Sequence, residues 1–260
     1  MSLTPCDPAR WKLVWSDDFD YEGLPDPSKW DYEEGFHRNN EMQYYTRARK
    51  ENARVEGGLL IIEGRKEPLR NPQYKADSNH WAESREFAEY TSASLTSKFA
   101  SGWKFGRIEV LAKLPEGKGV WPAIWTLGVN CPQVHWPACG EIDIMEFVGN
   151  WPTEIFGTIH YPVDGEYEKQ EGKLKGIDLH HDFHSYEIEW QSDRIDFFFD
   201  RHRYHTAWLD KAGVGDENPF RKPHFLLLNL ALGGSFGGEI DPNFVPQQYL
   251  IKHVHIYEPA

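Results

Sequence analysis

The sequence predicts an all-β protein, a sandwich of two antiparallel sheets. Three observations predict it: short strand-like stretches recur along the chain, Gly, Pro, Asn and Asp punctuate them, and long helical periodicity is absent. The first stretches are 11–15, where Trp, Leu, Val and Trp cluster, 58–63, a Leu-Leu-Ile-Ile run after paired glycines, and 92–99. Residues 105–113 alternate, with Ile108 and Val110 on one face and Arg107 and Glu109 on the other. Residues 123–127 and 141–147 follow, then 155–161. Residues 184–190 and 194–199 alternate on either side of Gln191-Ser192-Asp193-Arg194, which reads as a tight hairpin turn. The apolar runs 224–232 and 251–257 complete the set, and short helical turns are expected at 26–30 and 207–209. Residues 67–90 and 164–182 read as loops, either rims of a cleft or ordinary surface.

Length and charge narrow the function. A chain of 260 residues makes one large domain or two small ones. With no linker, repeat or low-complexity segment, a single domain over 4–260 is expected, and Met1-Ser2-Leu3 reads as an added start. A formal net charge of −13 argues against nucleic acid and anionic membranes, which call for clustered Lys and Arg. No apolar run is long enough to span a bilayer, and no signal peptide is visible. Aromatic residues make up 15% of the chain, including 11 Trp, a surplus that suits a core or a sugar-stacking cleft. Cys131 and Cys139 are either a disulfide of an oxidising compartment or two unrelated thiols, and Cys6 is left over.

The chemistry concentrates in Gly140-Glu141-Ile142-Asp143-Ile144-Met145-Glu146. Carboxylates alternating with large apolar side chains read as a strand with one wet and one buried face. Glu141 and Asp143 share a face, whereas Glu146 has the opposite parity and would enter the core, where an unpaired carboxylate is costly. A β-bulge near Met145 removes the conflict by returning Glu146 to the face of Glu141. Two glutamates so placed suit a retaining glycosidase, whose carboxyls lie about 5–5.5 Å apart; the plainer alternative is an acidic strand face without chemistry. Trp121 and Trp125, four apart, share a strand face as either a sugar platform or core aromatics. Arg107 and Glu109 are either cleft contacts to sugar hydroxyls or a cross-strand ion pair on a solvated face.

Taken together these motifs resemble glycoside hydrolase family 16, in its laminarinase-like endo-β-1,3-glucanase branch. The resemblance rests on Glu-Ile-Asp-Ile-Met-Glu at 141–146, in the bulged form with Met145 as the inserted residue. It extends in order through Trp15-Ser16-Asp17-Asp18-Phe19, Asn39-Asn40-Glu41-Met42-Gln43-Tyr44-Tyr45, Phe105-Gly106-Arg107 and Trp121-Pro122-Ala123-Ile124-Trp125. It continues through Gly157-Thr158-Ile159-His160-Tyr161, the 183–190 strand and Leu228-Asn229-Leu230 with its Gly233-Gly234 end. The resemblance implies a jelly-roll β-sandwich with a concave cleft and a retaining endo-acting mechanism. By position, Glu141 is then the nucleophile, Glu146 the acid and base, and Asp143 a neighbour that tunes Glu141. Trp121 and Trp125 line glycone subsites; Asn40, Arg107, Glu109 and Asn229 contact sugar; His160 lies near the acid/base or is merely structural.

The implied substrate is a β-1,3- or mixed β-1,3/1,4-glucan, met as a monomer in an extracellular or periplasmic compartment, since polymers do not cross membranes. Alternatives are another polysaccharide (agarase- or carrageenase-like action, or transglycosylation) and a non-catalytic β-glucan-binding protein. Two positions depart from the family pattern. Lys252 stands where an Asp holding calcium is expected, so no calcium and no cofactor are expected. Phe236 stands where relatives often carry Trp. His180, His181 and His184 show no metal-ligand spacing.

Overall fold

The structure, a computed structural model, describes residues 10–97 and 102–260. Met1-Ser2-Leu3, Cys6 and the end of the strand expected at 92–99 lie outside the described residues. Among the described residues seventeen strands form: β1 Trp11–Asp17, β2 Asp31–Glu33, β3 Gln43–Tyr45, β4 Ala53–Glu56, β5 Leu59–Arg70, β6 Phe87–Ser92, β7 Ser94–Thr96, β8 Gly106–Lys113 and β9 Val120–Gly128. There follow β10 Glu141–Phe147, β11 Glu154–Val163, β12 Glu166–Lys175, β13 His184–Trp190, β14 Arg194–Phe199, β15 His202–Trp208, β16 His224–Leu232 and β17 Gln247–Pro259.

They build two sheets. One has the order β12-β11-β10-β9-β16-β7-β2. The other runs β15-β14-β13-β8-β17-β5-β6-β3, with β1 added on β17 and β4 on β5. Pairing is antiparallel except between β3 and β6, which run parallel. The turn at 191–194 closes through the Gln191 N–H donating to the Arg194 carbonyl at 2.9 Å. The turn at 26–30 closes through Lys29 and Trp30 N–H groups on the Asp26 carbonyl.

Three expectations are corrected. Residues 166–175 are not loop but β12, an edge strand of the seven-stranded sheet. Its sequence, Glu-Tyr-Glu-Lys-Gln-Glu-Gly-Lys-Leu-Lys, lacks apolar alternation because an edge strand with both faces largely wet has no core to feed. Residues 67–90 are partly strand, in β5 and β6. The turn expected at 207–209 begins two residues later, a 3₁₀ turn at Leu209–Ala212, because Ala207 and Trp208 still pair in β15.

The main core lies between the sheets. Ile124, Ile142, Ile144, Met145, Phe147, Ile159, Leu226, Leu228 and Leu230 come from the seven-stranded sheet. Ile108, Val110, Tyr186, Ile188, Trp190, Phe197, Tyr249, Ile251, Val254 and Ile256 meet them from the other. Each large apolar side chain buried this way contributes about 1.5–3 kcal/mol. That gain fixes strand register, because a one-residue slip would exchange core and solvent faces.

Candidate active site

The outer face of the seven-stranded sheet carries the site, and β10 is its centre. Against β9, Asp143 pairs with Trp125 and Met145 with Ile124; against β11, Asp143 pairs with Thr158 and Glu146 with Phe156. The ladder is therefore interrupted between Asp143 and Glu146, and the bulge expected near Met145 is present. On the β9 side the unpaired residue is Ile144 rather than Met145. Ile144 and Met145 both turn into the core, which returns Glu146 to the outer face. Glu141, Asp143, Glu146, Trp121, Trp125 and Asn229 all line one pocket there, with Arg38, Asn39, Glu41 and Ala123.

Electrostatics follow from crowding three carboxyls in one partly buried pocket. Burial, then the charge of Asp143, pushes Glu141 up to about 8. Burial, then Glu146, raises Asp143 well above the ordinary range. Burial pushes Glu146 up to about 7, with His160 opposing and Glu141 adding to the rise. The three exchange protons as one set, so near neutral pH the set retains a proton. His160, paired with Glu141 across β10 and β11, places Nε2 2.8 Å from the Asp143 carboxylate. Its Nδ1 meets the Tyr167 hydroxyl at 2.7 Å. The Trp121 indole N–H donates to Glu146 at 3.1 Å.

A buried network fixes the other wall. The Trp125 indole N–H donates to Asn229 Oδ1 at 2.7 Å, Asn229 Nδ2 donates to the Tyr45 hydroxyl at 2.9 Å, and Tyr45 donates to Glu41 at 3.2 Å. Gln43 and Asn39 also donate to Glu41, whose proton affinity is raised by burial and lowered by Arg38. The Arg38 guanidinium lies 4.8 Å above the Trp125 ring and pairs with Glu33. Its Nη1 is buried and has no hydrogen-bond partner among the described residues. Asn40, exposed in the left-handed region at φ 52°, belongs to the same loop but does not line the pocket; Arg38, Asn39 and Glu41 do.

Arg107 and Glu109 are a correction. Both lie on β8 of the ten-stranded sheet, not in the cleft sheet. Arg107 is bonded to Glu187 across strands at 2.6 Å and to Glu109 on its own strand at 2.5 Å, so the cross-strand alternative holds, but buried rather than on a solvated face. Alternation showed that the two share a face but carried no information about which sheet that face belongs to.

Trp136, Tyr167 and Arg38 escaped the sequence reading, whereas Phe236 was singled out by it. Trp136, half exposed, stands 5.3 Å from Tyr167 and 6.3 Å from His160, in a loop held by the Cys131–Cys139 disulfide. Phe236 packs edge-on against Trp121, Trp151 and Phe156 at 5.3, 5.6 and 5.3 Å. Tyr167 could not be found because it lies on the charged strand read as loop. Arg38 carried only the weak signal of standing beside the Asn39-Asn40 pair. For metal ligation, Glu141, Asp143 and His160 bring donor atoms within 4.8 Å of one another, as does a second group, Asp18, His253 and His255, on the other sheet.

The model of glycosyl hydrolases family 16 matches residues 40–245. The chain belongs to glycosyl hydrolase family 16. A β-glucanase of Rhodothermus marinus is 42% identical, the alignment covering 95% of this chain and 85% of that protein. The laminarinase structure from the same organism superposes with a TM-score of 0.81 at 41% identity, covering 96% and 98% of the two chains. A structure from work on endo-acting O-glycanases of the human gut microbiota that initiate mucin breakdown gives 0.90 at 36% identity, covering 98% and 94%. The fold is the family's jelly roll.

Proposed function

We propose that this protein is a retaining endo-β-glucanase that hydrolyses β-1,3-linked or mixed β-1,3/1,4-linked glucans by double displacement. The observation that carries the reading is the bulge in β10, which sets Glu141, Asp143 and Glu146 on one face beside Trp121 and Trp125. The β-glucanase relative and the laminarinase neighbour support the substrate class.

Glu141 attacks the anomeric carbon as Glu146 gives its proton to the departing glycosidic oxygen, and a glycosyl-enzyme forms on Glu141. Glu146, now ionised, takes a proton from water, whose oxygen displaces Glu141 from the same carbon. The shared proton of the set therefore has to sit on Glu146 at the first step, with Glu141 charged. Asp143, 2.8 Å from His160 Nε2, is the third member of the set that shares this proton. Trp121 and Trp125 stack sugar rings, while Arg38, Asn39 and Asn229 meet hydroxyls.

The chemistry needs no cofactor in this reading. The family calcium does not fit: Lys252 brings an exposed ammonium where a carboxylate would be required, and one calcium bound per chain in elemental analysis would refute this. The protein acts as a monomer, to be checked by light scattering, outside the cytoplasm. The disulfide agrees with an oxidising compartment, and among the described residues no helix is long and apolar enough to cross a membrane.

Product profiling on laminarin, mixed-linkage glucan and agarose, with Glu146→Ala as control, tests the proposal. Rapid release of laminari-oligosaccharides, lost in the variant, is expected. A second reading, endo-action on another glycan, is favoured by the TM-score of 0.90 with the O-glycanase study's structure; a mucin-type glycan in the same panel decides between them.

A further inference from the structure

Strand β17 contains the same device as β10. Tyr249 and Ile251 point into the core, and strict alternation would send residues 253 and 255 there too. The register against β8 instead shifts between Ile251 and His253, leaving Lys252 as the extra residue. Beyond it Val254 and Ile256 are buried, and His253 and His255 stand together on the outer face of the ten-stranded sheet.

Asp18 completes this group. It directly follows β1, which pairs with β17 so that Ser16 lies opposite His255. Asp17 turns inward to the Trp30 indole and Lys29, which leaves Asp18 on the outside. Its Oδ1 is 2.7 Å from His255 Nε2. The two imidazole rings stack parallel, with centroids 4.0 Å apart and planes 3° from parallel. One donor atom from each of Asp18, His253 and His255 lies within 4.8 Å of the others. The Tyr257 hydroxyl meets His255 Nδ1 at 3.2 Å, and Glu109 meets His253 at 3.3 Å, so neighbours orient both rings.

We infer that Asp18, His253 and His255 form a binding site for a divalent transition-metal ion, remote from the cleft. Two imidazoles and one carboxylate match zinc, nickel or copper rather than calcium, which takes six to eight oxygens. Around a tetrahedral zinc with bonds of about 2.0–2.2 Å, donor atoms lie about 3.4 Å apart. Asp18 is 56% exposed and can swing to close the remaining gap, and the two histidines, 18% exposed, turn out of their parallel stack so that both nitrogen lone pairs converge on the ion. Three protein donors leave a fourth position to water. The ion would clip the N-terminal strand to the C-terminal one across an existing ladder.

The test is titration of the chelator-treated full chain with Zn²⁺ alone, read by calorimetry and by melting temperature, with Asp18→Asn and His255→Gln beside the unaltered protein. One zinc per chain is expected, with a raised melting temperature and an affinity about tenfold or more weaker in each variant. Anomalous scattering at the zinc edge should place the ion between residues 18, 253 and 255. Absence of stoichiometric binding, affinity unchanged in both variants, or an ion found instead at Glu141, Asp143 and His160 would overturn the inference.

Discussion

Replacing Trp121 by Phe keeps an aromatic ring against Phe236 and deletes a single hydrogen bond, the indole N–H to Glu146 at 3.1 Å. That bond favours the charged form of Glu146 and so opposes the burial that pushes this carboxyl up to about 7. A hydrogen bond to a charged group is worth about 1.5–3 kcal/mol, and one pKa unit is about 1.36 kcal/mol. The ceiling on the shift is therefore about 1–2 units, and water entering the open cleft reduces it to roughly one. The direction is upward, because the variant loses a donor that stabilised the carboxylate. Protonated Glu146 is the working form in the first displacement, so the alkaline limb of kcat/KM should move to higher pH by roughly one unit. Initial rates on laminarin across the neutral range measure it. A limb that stays in place, or moves to lower pH, would refute the assignment of Glu146 as the acid held by Trp121.

Other substitutions separate chemistry from scaffold. Glu141→Gln should abolish turnover with the fold intact, and Glu146→Gln should lower kcat by about 10²–10⁴-fold, both read by reducing-sugar release. Arg107→Met leaves Glu187 buried without its guanidinium; denaturant unfolding should show a loss of about 3–5 kcal/mol while KM stays unchanged, whereas a raised KM would return Arg107 to the cleft. His224 is fully buried, its Nε2–H donating to the Pro219 carbonyl at 3.2 Å and its Nδ1 3.0 Å from the Thr126 hydroxyl, and burial lowers it to about 4. An unfolded histidine takes up its proton near pH 6.5, so the folded state loses stability as pH falls from there towards 4, by up to roughly 3 kcal/mol. Urea midpoints at both ends of that window should differ less in His224→Gln than in the unaltered chain.

The carboxylate strand was legible because its pattern contradicts itself. Glu141 and Asp143 against Ile142 and Ile144 set a parity that Glu146 breaks, and the cost of burying a carboxylate makes a bulge the natural repair. The same logic applied to Tyr249, Ile251, Val254 and Ile256 marks the bulge at Lys252, since apolar parity switches there as well. Strands such as Glu141–Phe147, His184–Trp190 and His224–Leu232 were legible at their boundaries because each feeds a core. Strand β12 was not, because its charged faces are largely solvated and its place is set chiefly by hydrogen bonds to β11.

The chain by itself determined which segments are strands with a buried face, where parity must break, and which residues carry acid and base chemistry. Those follow from local alternation and from the cost of placing charge in an apolar core. Only the tertiary structure decided which face belongs to which sheet. Arg107 and Glu109 look like cleft residues until β8 is seen in the sheet opposite β10, where they pair with Glu187 and His253. It also joined Arg38, Tyr45 and Asn229 behind Trp125, and Asp18 to His255, pairs separated by long stretches of chain. Side-chain period tells a residue which side of its strand it occupies; the partner across that side is chosen by the order in which strands join, and that order is settled by the packing of the whole core.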